Sequence, residues 1–179
     1  MKSTKFLMQE HKLILRALDV LDTMAVSAEK NGAVVEGDIA KILDFLRWFA
    51  DAHHQAKEET ILFPALKRAA ASENRPVEHM MLEHEQERAL IEQIETAVRL
   101  ACIPDFLSCA ERLSSALRNH IYKEDHILFE AATDALDARC DEEVEARLNR
   151  FETEFDKETL ATKLADLRRL EWKYLRRAS

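Results

Sequence analysis

A ten-residue stretch occurs twice in the chain, and it restricts the fold more than any other feature. His54-Gln55-Ala56-Lys57-Glu58-Glu59-Thr60-Ile61-Leu62-Phe63 returns as His120-Ile121-Tyr122-Lys123-Glu124-Asp125-His126-Ile127-Leu128-Phe129, with His, Lys, Glu, a second acid and Ile-Leu-Phe in register. Residues four apart lie on one face of an α-helix, about 6 Å apart at their Cβ atoms. Each copy therefore offers an imidazole and a carboxylate to one neighbouring point. Met8-Gln9-Glu10-His11 likewise returns as Met81-Leu82-Glu83-His84. The chain reads as two helix pairs, each supplying one lone histidine and one His-x-x-x-Glu.

Apolar residues surround these positions at helical spacing. Leu7, His11, Ile14, Leu15, Leu18, Leu21 and Ala25 form a first stripe that runs out at Asn31-Gly32. Gly37-Asp38 predicts a turn and an N-cap for a second helix, which buries Ile42, Leu43, Leu46, Phe49 and Ala50, then His53, His54, Glu58, Ile61 and Leu62. Pro64 is expected to kink or end it, leaving a loose segment from Ala65 to Asn74. Pro76 opens a third helix carrying Val77, Met80, His84, Ile91, Ile94 and Val98. Pro104 opens a fourth, with Phe106, Ala110, Leu113, Leu117, His120, Glu124, Ile127, Leu128 and Ala131 along one side. From Asp141 the pattern stays helical through Val144, Leu148, Phe151, Phe155, Leu160, Leu164, Leu167 and Leu175. Two glycines and three prolines in 179 residues cannot punctuate the turns of an all-β fold. The expected architecture is all-α: an up-down-up-down four-helix bundle over residues 1–138, and a helical extension over residues 139–179 that packs on the bundle or on a partner.

Counting from the turns brings the histidines to one level. His11 lies about 18 residues before the first turn and His54 about 16 after it, roughly 27 and 24 Å of helix. Across the last turn His84 and His120 lie about 17 and 16 residues away, roughly 26 and 24 Å. The middle turn agrees if the second helix ends near Phe63, since His54 and His84 are then about 9 and 8 residues from it. Four imidazoles and two carboxylates would share one layer of an apolar bundle, where unpaired charge costs several kcal/mol and neighbouring carboxylates repel. A bound cation removes the conflict. Imidazole and carboxylate without thiolate suit iron or manganese better than structural zinc, and six ligands exceed the need of one tetrahedral ion. Two metals fit, each with two histidines, with Glu58 and Glu124 bridging. Two ferrous ions, or two ferric ions with an added oxo bridge, leave the same net charge, so oxidation need not alter the buried charge.

Composition closes off other classes. A net charge of −8 gives no positive field for phosphates, so nucleic acid is not an expected partner. No apolar stretch approaches the roughly 20 residues of a membrane span, and a cytoplasmic location is expected. Cys102, Cys109 and Cys140 are odd in number and lack Cys-x-x-Cys spacing, which indicates packing rather than disulfides or a zinc knuckle.

Glu10-His11, the run Phe49 to Pro64, Met80 to Glu85 with Arg88, and His120 to Phe129 together resemble the haemerythrin-like, HHE cation-binding family, over roughly residues 4 to 137. Arg150 to Phe155 also resembles the C-terminal extension of longer members. The resemblance implies a four-helix bundle around a non-haem di-iron centre, oxo- or hydroxo-bridged, with His11, His54, Glu58, His84, His120 and Glu124 as ligands; manganese or zinc could substitute. It implies a protein that binds or reacts with dioxygen, peroxide or nitric oxide, or reports iron and oxygen status. Oxygen-carrying members use a fifth histidine in a His-x-x-x-His helix, whereas Arg88 stands four residues after His84. Redox chemistry or sensing is therefore expected in place of oxygen transport. A ferritin-like iron oxidase is the competing enzyme class, but such sites use Glu-x-x-His and more carboxylate. An interaction module is another, with the C-terminal helices docking a protein partner or a second copy.

Beside the six, His53, Arg88 and Asp125 are expected to orient ligands. Asp125 competes with Glu124 as a ligand, and register with Glu58 favours Glu124. His79 and His126 are expected on exposed faces, and Glu59, Lys57 and Lys123 in solvent. Tyr122, Trp48 and Trp172 are expected to pack.

Overall fold

Helix α1 (Lys2–Asn31) ends where Gly32 takes φ +65°, a left-handed conformation only glycine adopts freely, and its N–H returns to the Ala28 carbonyl at 2.8 Å. The computed structural model describes residues 2–69 and 75–176 of the chain. Among the described residues there are six helical rods and no strand. The second rod starts as α2 (Glu36–Phe45), passes through π-helical turns over Leu46–Gln55 and Glu58–Leu62, and finishes as α3 (Phe63–Ala69). The third is α4 (Arg75–Arg99). The fourth begins as α5 (Ile103–Lys123), widens into a π-helical turn over Glu124–Leu128, and finishes as α6 (Phe129–Ala135). Two further helices follow, α7 (Ala138–Glu154) and α8 (Lys157–Tyr174). The turns Glu58–Leu62 and Glu124–Leu128 fall at the same place in both copies of the repeat, each opening on the glutamate of its His-x-x-x-Glu, whereas Leu46–Gln55 is π-helical in the first copy alone.

The core is two apolar slabs with a polar layer between them. One slab holds Ile14, Leu18, Leu21, Leu43, Leu46, Phe49, Leu90, Ile94, Phe106, Leu113 and Leu117, closed by Leu167 and Leu170 of α8. The other holds Leu7, Leu62, Phe63, Met80, Leu128, Phe129 and Ala132, closed by Val144 and Leu148 of α7. Each of the four long rods crosses from one slab to the other, and its histidine lies at the crossing. Asp137 and Asp156 cap the two C-terminal helices, accepting from the Cys140 N–H at 2.8 Å and from the Glu158 and Thr159 N–H groups at 3.0 Å. Arg16 of α1 holds Glu171 of α8 through two bonds of 2.6 Å.

Several expectations are corrected. Pro64 does not end the second rod. The turn before it is π-helical, with the Phe63 N–H reaching the Glu58 carbonyl five residues back, so the ring interrupts an already widened turn; Arg147 of α7 donates to the Thr60 carbonyl at 2.9 Å. The loose segment from Ala65 to Asn74 is helical as far as Ala69, and its residues 70–74 lie outside the described residues. The helix end at Phe63 that the depth count at the middle turn required is therefore not there, and His54 and His84 reach one level without it. Gly37-Asp38 is not a turn and cap: α2 already begins at Glu36. The Asp38 carboxylate is drawn to α8, accepting from the Tyr174 hydroxyl at 2.6 Å and pairing with Lys173. Tyr122, Ile127 and Trp172 are exposed, whereas Trp48 packs at 4.6 Å between ring centroids against Phe155. Cys109 is buried, Cys102 and Cys140 are partly so, and all three are free.

Candidate metal centre

The six predicted residues converge between the slabs. His11, His54, Glu58 and Glu124 offer ligand atoms that all lie within 4.8 Å of one another, and so do Glu58, His84, His120 and Glu124. Both glutamates belong to both groups. Glu124 places one oxygen 3.2 Å from His11 Nε2 and the other 3.3 Å from His120 Nε2. Glu58 does the same with His54 Nε2 at 3.5 Å and His84 Nε2 at 3.6 Å. Within each half the two Nε2 atoms stand 3.0 Å apart, His11 to His54 and His84 to His120. That is about the spacing of two adjacent ligands each some 2.1 Å from one ion.

The opposite ring nitrogens are all engaged by carboxylates. His11 Nδ1 meets Asp125 at 2.7 Å, His54 Nδ1 meets Glu10 at 2.8 Å, His84 Nδ1 meets Glu59 at 2.7 Å, and His120 Nδ1 meets Glu83 at 2.9 Å. An ionised carboxylate can only accept, so each Nδ1 carries a proton and each Nε2 faces inward, where it can offer a lone pair to an ion that displaces any second proton. This is the arrangement that orients histidine toward a metal and raises its basicity. The contacts obey a two-fold relation that matches the sequence repeat: Glu10 to His54 corresponds to Glu83 to His120, and Asp125 to His11 corresponds to Glu59 to His84. Even the stacked rings agree, His11 on Phe129 and His84 on Phe63, both at 5.8 Å between centroids.

Charge within the layer is unbalanced by the protein alone. Both oxygens of Glu58 and both of Glu124 are buried without a hydrogen-bond donor, an arrangement that costs several kcal/mol unless a proton or a cation compensates. Burial and the neighbouring Glu124 push the Glu58 carboxyl well above the usual range. Burial also opposes ionising Glu124, yet His120 and His11 hold it well below that range. Burial opposes charging His11, but the carboxylates of Asp125 and Glu124 beside it lift its pKa to about 9. Burial and the charge of His11 depress His54 to about 4. The layer thus meets the test for a metal ion: inward lone pairs, orphaned carboxylate oxygens, and a donor set of imidazole and carboxylate that iron and manganese accept.

Of the three residues expected to orient ligands, only Asp125 touches one. Arg88 turns outward, giving hydrogen bonds to Asp51 at 2.7 Å and Glu59 at 2.5 Å, and so acts on His84 at one remove. His53 bonds Glu152 at 2.8 Å and reaches Glu10 only at 3.5 Å. His79 and His126 are exposed. Glu59, Lys57 and Lys123 are not simply solvated. Glu59 orients His84, Lys123 pairs with Glu83, and Lys57 is buried against Glu10 and Glu152. Glu10, Glu59 and Glu83 were missed as orienting residues, although the repeat preserves each of them or its acidic counterpart. One further pair was missed: buried Glu87 accepts from the Gln55 side-chain amide at 2.6 Å, with its other oxygen unpartnered. Burial, opposed by His120 and by that bond, lifts its pKa to about 7. The positions related to this pair by the repeat are Ile121 and Ile14, so nothing in the pattern announces it.

Comparison with curated proteins and with solved structures finds no match. The family model of the hemerythrin HHE cation binding domain matches residues 2–132, which take in all six inward residues and stop before α7. The chain belongs to the hemerythrin HHE cation-binding domain family.

Proposed function

We propose that the protein is a non-haem di-iron protein of the haemerythrin type that binds or reacts with a small oxidant or gas, dioxygen, peroxide or nitric oxide, in redox defence or sensing. In this reading His11 and His54 hold one ion, His84 and His120 hold the other, and Glu58 and Glu124 bridge them. The observation that carries it is the inward turn of four Nε2 atoms, each fixed by a carboxylate behind it, around four carboxylate oxygens with no donor.

A bound iron pair would supply reversible one-electron chemistry toward such molecules. The chain's own residues do the rest. Asp125, Glu10, Glu59 and Glu83 hold the imidazoles in the metal-binding tautomer. The apolar slabs above and below exclude bulk water, and Phe129 and Phe63 pack flat on His11 and His84. Both halves receive two histidines and two shared carboxylates, so neither has the extra histidine of an oxygen carrier. Position 88 gives none, because the Arg88 guanidinium is committed to Asp51 and Glu59. This symmetry favours reaction or sensing over reversible transport. No helix among the described residues is long and apolar enough to cross a membrane.

Purified protein should carry about two irons per chain and, when oxidised, show a ligand-to-iron charge-transfer band. Replacing His54→Ala or Glu124→Ala should abolish the band. An unchanged band in either variant refutes the ligand assignment. Anaerobic reduction followed by separate addition of dioxygen, peroxide and nitric oxide identifies which one the centre engages.

A further inference from the structure

The six inward residues obey the two-fold relation, but their surroundings do not. Lys57 and Lys123 are counterparts, each paired with a carboxylate that orients a histidine, Lys57 with Glu10 and Lys123 with Glu83. Lys123 is 28% exposed and Lys57 is 0% exposed. Phe6 of α1 lies over the Lys57 ammonium at 4.7 Å from its ring centroid, and the second acid comes from α7. Its Glu152 reaches Lys57 Nζ at 2.7 Å and His53 Nε2 at 2.8 Å, and Phe155 covers the His53 ring at 4.4 Å between centroids. The residue related to His53 by the repeat is Asn119. Donor type alone makes Glu10, His53 and Glu152 a further candidate metal group. The Lys57 ammonium, bonded to both carboxylates, already supplies its positive charge.

We propose that α7 acts on one half of the centre only: Glu152 shares the charge of Lys57, which leaves Glu10 free to hold His54, so a metal on His11 and His54 and a docked α7 strengthen each other. This rests on the metal-binding reading above. A buried ammonium draws on every carboxylate within reach. With Glu152 in place, Lys57 divides its demand between two acceptors, and Glu10 keeps electron density for the Nδ1–H of His54. Without Glu152 the whole demand falls on Glu10, His54 becomes a poorer donor to metal, and that half loosens. The coupling runs both ways by thermodynamic necessity, so losing the ion from that half weakens the hold on α7. The His84/His120 half is tied to Glu59 with Arg88 and to Glu83 with Lys123, all outside α7.

The test uses the full chain loaded with cobalt(II), whose release to a chelator is followed by absorbance. Two phases are expected in the wild type, one per half. Glu152→Gln should speed one phase roughly tenfold, at the low end of what losing a partner behind a ligand costs, and leave the other unchanged. Glu59→Gln, which removes the negative charge behind His84, should speed the other phase. In parallel, hydrogen exchange along Ala138–Glu154 should slow on metal loading in the wild type and not in Glu152→Gln. A general loss of structure would move both phases together, and circular dichroism of the metal-free variants detects it directly. A single phase in the wild type, both phases moving together in Glu152→Gln, or α7 exchange indifferent to metal would each overturn the proposal while leaving the metal site standing. Failure of the wild type to take up cobalt would remove the metal-binding reading as well.

Discussion

Glu87→Gln should stabilise the metal-free protein at alkaline pH and do nothing for it in acid. Glu87 is buried on α4, held by one bond from Gln55, with an unpartnered second oxygen. Its pKa stands near 7 against an ordinary value of 4.5. A carboxyl raised in the folded state contributes stability that is fully present below its ordinary value and lost as the pH climbs through the folded one. The difference of about 2.5 units is worth on the order of 3 kcal/mol at about pH 8, where the charge must be buried in full. Glutamine keeps the shape and cannot ionise, so its advantage over the wild type should grow from near zero at about pH 4 to that figure at about pH 8. Urea unfolding of metal-free wild type and variant across this range measures it, and the melting temperature at the alkaline end should rise by about 6–12 °C. Metal loading should shrink the gain, because cations nearby favour the charged carboxylate. A gain of the same size at both ends of the range would show that something other than ionisation of Glu87 is responsible, and the reasoning would fail.

Metal uptake should expel protons. Without metal, His11 titrates near 9 and His120 is also raised, burial being outweighed by Glu124 in particular, so at about pH 7.5 both inward nitrogens carry protons that an ion must displace. Calorimetry of cobalt(II) uptake in buffers of different ionisation enthalpy should report more than one proton released per chain, with affinity falling as the pH drops, and release of none contradicts the raised titration of His11 and His120. Arg147→Ala should cost about 0.5–1 kcal/mol, since the Thr60 carbonyl loses the donor that ties α7 to the second rod. Urea unfolding checks this, and an unchanged stability would show that the bond contributes nothing.

The four rods and their inward residues were legible because two periodicities coincide in them. Apolar residues recur every three or four positions, and the polar exceptions, His11, His54, His84 and His120, recur in the same register twice over. The next layer was less legible for a geometric reason. Glu10 sits beside His11 in sequence but serves His54, and Glu59 sits beside Glu58 but serves His84, so sequence adjacency points to the wrong partner. The repeat did preserve Lys57 with Lys123 and Glu59 with Asp125, a regularity that solvated residues have no cause to keep. Glu87 with Gln55 and Glu152 with Lys57 break the symmetry, and such departures leave no pattern to read. Pro64 misled because the rule about lost donors presumes α-helical bonding, whereas the turn before it is π-helical and its Thr60 carbonyl is tied to Arg147, more than 80 residues away in the chain.

Within either helical hairpin, only one imidazole is steadied by its own pair: His54 by Glu10 in the first, His120 by Glu83 in the second. The other, His11 or His84, leans on an acid carried by the opposite hairpin, Asp125 or Glu59. Half the molecule could thus present a single aligned donor and one swinging free, whereas two identical hairpins related by a dyad would supply every missing support to each other. The arrangement is that of a homodimer spelled out along one polypeptide, with the later helices laid against just one of its two sides.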